Sequence, residues 1–440
     1  MTLRSRLRTL ALGLAAASLL ALTAWDRAAA EAQLLIEAST GKVLHAENAT
    51  YPWYPASVTK LMTAYTTLRA VKEKKIAFDT MLTMSRNAVA QQPTKMGFKL
   101  GATVTVDNAL KMLMVKSAND IAVAIAEGVG GSLEGFADMM NANARRLGMS
   151  QSHFINPNGL PAENHVSSAR DLGILARALI REYPEHDGYW HISSIRYGSR
   201  VYRNYNSLID RYPGADGMKT GFICASGYNV VASASRNGRR LIAVILGSYS
   251  GAVRAQKAAA LLERGFNSGG LSWLTPSLGT VDSLAPIDAQ PPNLRDEMCG
   301  GHRRKPASED NEEEEPAAEG TTAANGETDS NGQAYMLSSL KPANGKFVLG
   351  PPVETSAPVV VFTGPANNPD TPAVATAGTP KKKKIAAAKP VAEAKADTAE
   401  KPADKPAAQT AKPAKPKAAK PATAAKQAKP AKPKVSSAAQ

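Results

Sequence analysis

The stretch Pro55-Ala56-Ser57-Val58-Thr59-Lys60-Leu61-Met62-Thr63-Ala64-Tyr65-Thr66-Thr67-Leu68 opens on a proline and carries Val58, Leu61, Met62, Tyr65 and Leu68 at three- and four-residue spacing. That period predicts a helix over Ser57 to Lys74 with one apolar stripe. Ser57 and Lys60 then share a face at its start. A serine hydroxyl is a poor nucleophile at its own pKa and needs an adjacent base. An amine can be that base only if its pKa falls well below the ordinary value of about 10.4, through burial or a neighbouring cation. The helix start adds partial positive charge where an acyl oxyanion would develop. Taken alone, either residue reads better as an N-cap serine or a solvated first-turn lysine.

Upstream, Gln33 to Ile36 and Val43 to His45 read as short strands around the turn Ser39-Thr40-Gly41-Lys42. Downstream, Val106 to Met114 and Ile121 to Glu127 read as helices broken by Lys116-Ser117-Ala118-Asn119. Ala169 to Ile180 reads as another, with Asp171 a helix-start charge rather than a catalytic acid. Val230 to Ser235 and Leu241 to Leu246 are apolar, β-branched runs joined by Asn237-Gly238, a strong hairpin signal. The alternation predicts an α/β or α+β domain over residues 31–274, long enough to bury a sizeable core.

Three short motifs occur in order: Ser57-Val58-Thr59-Lys60, Ser117-Ala118-Asn119 and Lys219-Thr220-Gly221. Each alone is weak, since the second suits a helix cap and the third an ordinary strand entry. Together they are strong. With Leu34-Leu35-Ile36, Thr40-Gly41-Lys42-Val43-Leu44, Asn156-Pro157-Asn158-Gly159-Leu160, Gly214-Ala215-Asp216-Gly217 and Gly227-Tyr228-Asn229 around them, residues 32–268 resemble the serine penicillin-recognising enzymes, most closely the low-molecular-mass D-alanyl-D-alanine carboxypeptidases.

The resemblance implies a penicillin-binding/β-lactamase-like domain, an antiparallel sheet flanked by helices. It implies Ser57 as nucleophile, Lys60 as base and Ser117 as proton relay to the leaving amine. Asn119 would hold a substrate amide or orient Lys60. Lys219, with Thr220 and Gly221 on an edge strand, would depress the pKa of Lys60 and attract a substrate carboxylate. The N–H groups of Phe222 and Ser57 would form the oxyanion hole. Arg254, matched by its spacing from Lys219, would meet the terminal carboxylate. The implied substrates are peptidoglycan stem peptides, with β-lactams as acylating inhibitors and no metal or organic cofactor. Carboxypeptidase and endopeptidase action both remain open. A class A β-lactamase is disfavoured, because Glu163-Asn164-His165 does not match its deacylating glutamate and Ala118 stands where such enzymes carry Asp. With six histidines and no paired spacing, His165 reads as a surface or loop residue.

The ends of the chain differ in character from this domain. Arg4, Arg6 and Arg8 precede an uncharged Leu- and Ala-rich run from Thr9 to Trp25 and then Ala28-Ala29-Ala30, so residues 1–30 read as an export signal, the alternative being an uncleaved anchor. Export places the protein in the periplasm or the cell envelope. Residues 275–380 read as a low-complexity linker with an acidic run at Glu309 to Glu315 and a short apolar patch at Pro358 to Phe362. The formal net charge is +15, yet Lys381 to Gln440 holds 16 Lys against 4 acids, a balance of +12. The remainder is nearly neutral, which removes the simplest case for a nucleic-acid-binding fold. Residues 381–440 repeat Lys, Ala and Pro and read as a disordered tail suited to an anionic envelope surface. No amphipathic C-terminal anchor is found: Val435-Ser436-Ser437-Ala438-Ala439-Gln440 is short and polar. That tail also suggests a non-catalytic wall- or polyanion-binding protein. Cys224 and Cys299 are the chain's two cysteines, and whether they pair is left open: an oxidising compartment favours a bridge, a buried strand position favours a lone thiol.

Overall fold

In the computed structural model, residues 31–268, 277–301, 349–352 and 356–365 are described. The elements in chain order are β1 (Ala32–Glu37), β2 (Val43–Glu47), a 3₁₀ turn (Ala56–Thr59), α1 (Lys60–Lys72), β3 (Met81–Thr83), α2 (Arg86–Val89), β4 (Thr103–Thr105), α3 (Val106–Val115), α4 (Asn119–Gly130) and α5 (Leu133–Leu147). There follow α6 (Ala169–Glu182), α7 (Gly188–His191), β5 (Ser194–Tyr197), β6 (Arg200–Arg203), β7 (Ala215–Ile223), β8 (Gly227–Arg236), β9 (Arg239–Ser248), α8 (Gly251–Asn267), α9 (Arg295–Cys299) and β10 (Val359–Val360).

The main sheet runs β2-β1-β9-β8-β7 with every neighbour antiparallel, so β7 is an edge. Its strands are apolar on both faces, as a sheet covered on both sides requires. Leu34, Ile36, Val231, Ile242, Val244 and Leu246 face one cluster with α1, α3, α4 and α6. Their alternating neighbours Leu35, Val230, Ala232, Leu241, Ala243 and Ile245 face a second cluster with Ala255, Ala258, Ala259 and Leu262 of α8. Asn237 and Gly238 both take positive φ, 49° and 76°, the pairing a two-residue hairpin turn demands. The helix expected from Ser57 begins instead as the 3₁₀ turn and becomes α-helical at Lys60. From Lys60 to Ala70, α1 is buried nearly all round, the condition of a helix in the middle of a core.

The packed chain does not stop at 274, where the linker was expected to begin. Val281 is fully buried, with its N–H donating to Gly41 O at 2.9 Å. Leu294, Met298 and Cys299 are buried, and Leu294 N donates to Ala225 O at 3.0 Å. Cys299 is bonded to Cys224, one residue beyond β7. The open question about the cysteines is answered by that bridge. The apolar patch near residue 360 supplies β10, which adds in parallel to β5, with Val361 N donating to Arg196 O at 2.9 Å. Residues 1–30, 269–276, 302–348, 353–355 and 366–440, which include the expected export signal, the acidic run and the basic tail, lie outside the described residues. Among the described residues no helix is long and apolar enough to cross a membrane.

Candidate active site

Ser57 stands in the 3₁₀ turn after Ala56, whose φ of 49° is an uncommon value for a residue with a side chain. Its own hydroxyl caps nothing. Lys60, the first residue of α1, is fully buried, and its Nζ lies 2.9 Å from Ser57 Oγ, 2.8 Å from Asn119 Oδ1 and 2.7 Å from the carbonyl oxygen of Asn158. The last two can only accept. A neutral amine has two N–H bonds and one lone pair. In that form, of the three partners only the serine hydroxyl can donate to the lone pair. The arrangement is that of a base aimed at a nucleophile.

Ser117 and Asn119 flank the junction of α3 and α4. Ser117 is forced to φ 58°, and neither side chain caps α4, whose N-cap residue is Ala118. Asn119 Nδ2 donates to Gln92 O at 3.0 Å and Pro93 O at 3.2 Å, which fixes its Oδ1 on Lys60. Asp120 holds the same 92–97 loop, accepting from the N–H groups of Met96 and Gly97 at 3.0 and 2.9 Å. Burial pushes the Asp120 carboxyl above its usual range, against the pull of those donors. The Ser117 hydroxyl is buried with no hydrogen-bond partner among the described residues.

On the edge strand β7, Lys219 and Thr220 are both buried, at 1% exposure. Lys219 Nζ donates to Thr220 O at 2.9 Å, while Thr220 Oγ1, like Ser117 Oγ, is buried and unpartnered. A Cβ on Gly221 would stand 2.7 Å from Ser57 N and 2.9 Å from Val58 N, so only a residue without a side chain brings strand and serine turn together. Asn229, opposite Gly221 on β8, clamps the same turn by donating to Tyr54 O and Pro55 O at 3.0 and 3.3 Å. Two lone hydroxyls in a buried, cation-lined site are unusual, since buried polar groups are normally paired. Among the described residues no group of His, Cys, Asp and Glu could hold a metal ion.

A model of the family described as peptidase S11, D-alanyl-D-alanine carboxypeptidase, matches residues 21–250, more than half of the chain. The chain belongs to that family. Among relatives it is 37% identical over 243 residues to D-alanyl-D-alanine carboxypeptidase DacD of Salmonella typhimurium, covering 54% of this chain and 62% of that protein. It is 36% identical over 244 residues to D-alanyl-D-alanine carboxypeptidase DacC of Escherichia coli, covering 54% and 61%. The chain thus spans about three fifths of the length of these relatives. Among solved structures, penicillin binding protein 5 of Haemophilus influenzae aligns with a TM-score of 0.52 at 34% identity, covering 53% of this chain and 70% of that one.

Arg254 lies just beyond the stretch matched to the peptidase S11 family. It is buried on the first turn of α8, donates to Asn229 O at 3.3 Å and lies 5.7 Å from the Tyr228 ring. Tyr228 in turn stacks on Phe222 at 4.3 Å between ring centroids. Arg254 therefore sits beside Asn229, the residue opposite Gly221. Three contributors escaped the sequence reading as individual residues: the Asn158 carbonyl, the Asn229 clamp and His165. His165 was expected at the surface or in a loop, and it lies in a loop but not at the surface. It is 3% exposed and hydrogen-bonded to Thr59 in the serine turn, whereas Glu163, two residues earlier, is exposed.

Proposed function

We propose that this chain is an exported serine-type D-Ala-D-Ala carboxypeptidase that removes the terminal D-alanine from peptidoglycan stem peptides. The observation that carries the reading is the Ser57–Lys60 contact of 2.9 Å, made by a buried amine that also meets two carbonyl oxygens at 2.8 and 2.7 Å. Family membership and relatives named as D-alanyl-D-alanine carboxypeptidases support the reaction class.

Lys60 takes the hydroxyl proton as Ser57 Oγ adds to the carbonyl of the penultimate D-alanine. The oxyanion is met by the N–H of Ser57 and, from β7, that of Phe222. Collapse breaks the peptide bond, and the proton passes from Lys60 through Ser117 Oγ to the leaving amine. Water then adds to the acyl-enzyme and releases the shortened peptide. Lys219, Thr220 Oγ1 and Arg254 receive the carboxylate of the substrate, which gives the unpartnered Thr220 hydroxyl its acceptor. Asn119 holds Lys60 and a substrate amide. β-Lactams, acyl donors of the same shape, acylate Ser57 and stay.

Residues 1–30 direct export, and the Lys-, Ala- and Pro-rich tail holds the enzyme near an anionic envelope surface, where its local balance of +12 is attracted to polyanions. The test of the reaction is incubation with a stem pentapeptide and with its cross-linked dimer. Release of free D-alanine from the pentapeptide, with the dimer intact, is the expected result. Cleavage of the dimer alone assigns an endopeptidase, and no release from either refutes the reading. Ser57→Ala should abolish covalent labelling by fluorescent penicillin while leaving the folded state intact.

A further inference from the structure

The loop from His153 to Val166 meets the serine turn at several consecutive points. Asn158 O accepts from Lys60, and Pro157 O accepts from Thr63 Oγ1 at 2.6 Å. A Cβ on Gly159 would fall 1.8 Å from Ala56 O, so the two backbones touch there. The fourth point is His165, whose Nε2 lies 2.9 Å from Thr59 Oγ1.

The other ring nitrogen fixes how that contact is made. His165 Nδ1 lies 3.1 Å from the main-chain N–H of Ile155, a group that can only donate. Nδ1 must therefore offer a lone pair, which leaves the proton on Nε2 and makes the imidazole the donor to Thr59. Phe154 packs edge-on against the ring at 5.8 Å. Burial, and secondarily the nearby His153, push the pKa of His165 down to about 3, so the ring is neutral wherever the enzyme works.

We propose that His165 is a positioning residue for acylation: by donating from Nε2 to Thr59 it fastens the 153–166 loop to the serine turn and thereby keeps the Asn158 carbonyl on Lys60. The inference rests on the reaction proposed above. Thr59 is the neighbour of Lys60, and the carbonyl it secures is one of the two acceptors that turn the amine's lone pair toward Ser57. When the tie is lost, the amine rotates among other orientations and proton abstraction slows. Lys219, Thr220 and Arg254 belong to other elements, so the initial non-covalent capture of an acyl donor is unaffected.

The test resolves penicillin acylation of the full chain into its non-covalent constant K and its acylation rate k2. Thr59→Val removes the acceptor at nearly constant shape and His165→Leu removes the donor. Each should lower k2 by about 10- to 100-fold, the scale of a small misplacement of a reacting group, with K unchanged. The double variant should be no slower than either single one, because both remove the same bond. His165→Gln, whose amide can still donate toward Thr59, should restore much of k2. In ¹⁵N spectra of the wild-type ring the proton should sit on Nε2. A proton on Nδ1, an unchanged k2 in Thr59→Val, losses that multiply in the double variant, or a defect confined to K would each overturn the proposal. A wild-type protein that penicillin does not acylate at all would instead refute the reaction on which it rests.

Discussion

Reducing the Cys224–Cys299 bond should destabilise the domain without disarming it. The bond closes a loop with a sequence separation of 75, which contains β8, β9 and α8, and three of the four strand pairings of the central sheet involve β8 or β9. In the chain-entropy account, a cross-link over a loop of that length removes about 4.5 kcal/mol of freedom from the unfolded chain, and native bridges deliver about 2–4 kcal/mol in practice. The folded side of the balance changes little. Leu294 and Met298 stay buried without the bond, and Leu294 N keeps its hydrogen bond to Ala225 O, so α9 has its own reasons to remain seated. For a domain of this size the loss corresponds to a fall in Tm of roughly 4–16 °C. Thermal unfolding of the oxidised protein, the reduced protein and the Cys224→Ser/Cys299→Ser variant measures it. Fluorescent penicillin labelling at 25 °C should persist in all three, because Ser57 and Lys60 belong to the 3₁₀ turn and α1. Equal Tm values for oxidised and reduced protein would refute the reasoning, as would two alkylated thiols in unreduced protein from an oxidising compartment.

Lys60→Ala should abolish acylation nearly as completely as Ser57→Ala, since base and nucleophile act as a unit; near-normal labelling would assign the base elsewhere. Stability should fall on acidification between about pH 6.5 and about pH 3, because over that window the unfolded chain protonates His165 while the folded one, with its pKa pushed down to about 3, does not. The effect should reach about 2–3 kcal/mol near pH 4.5 and should be missing from His165→Gln; comparing the two isolates the ring from Asp120 and Asp171, whose burial moves their carboxyls upward. A chain ending near Asn293 lacks Cys299 as well as the tail, so the tethering test uses one ending near Thr379. That shortened chain should keep its turnover on a soluble peptide but lose co-sedimentation with envelope fractions, and salt should release the full-length chain. Equal sedimentation at low salt would leave the tail without a tethering role.

The parts of this molecule that sequence reasoning found are those with a local signature. Val58, Leu61, Met62, Tyr65 and Leu68 announce α1 by their period, Asn237-Gly238 announces the β8–β9 turn, and Ser57 and Lys60 announce their contact by being one helical turn apart. What was missed is held by long-range contact with no local mark. His165 follows Glu163 and Asn164 in a polar loop, and only its pairing with Thr59, 106 residues upstream, takes it inside. Residues 277–301 are anchored by isolated apolar residues, Val281, Leu294 and Met298, set among prolines at no regular period. Composition counts such a stretch as a linker, whereas all three side chains join the larger core cluster. The disulfide partners likewise share no neighbourhood until the sheet has formed.

The same distinction explains why the catalytic turn is so tightly determined. Ala56 is held at φ 49°, a conformation that costs free energy for a residue with a Cβ and persists only where the surroundings over-determine it. Here the surroundings are backbone rather than side chains. Gly221 presses from β7 onto the N–H groups of Ser57 and Val58, and Gly159 presses from the 153–166 loop onto the carbonyl of Ala56. Neither glycine has room for a single added carbon. Asn229 and His165 then fasten the turn to β8 and to the loop by hydrogen bonds to Tyr54, Pro55 and Thr59. A serine gripped this way cannot retreat from Lys60 without moving an edge strand or a loop, and both carry groups that the proposed reaction uses. The position of the nucleophile is thus set by where other chain segments can approach most closely, and the two glycines mark those places.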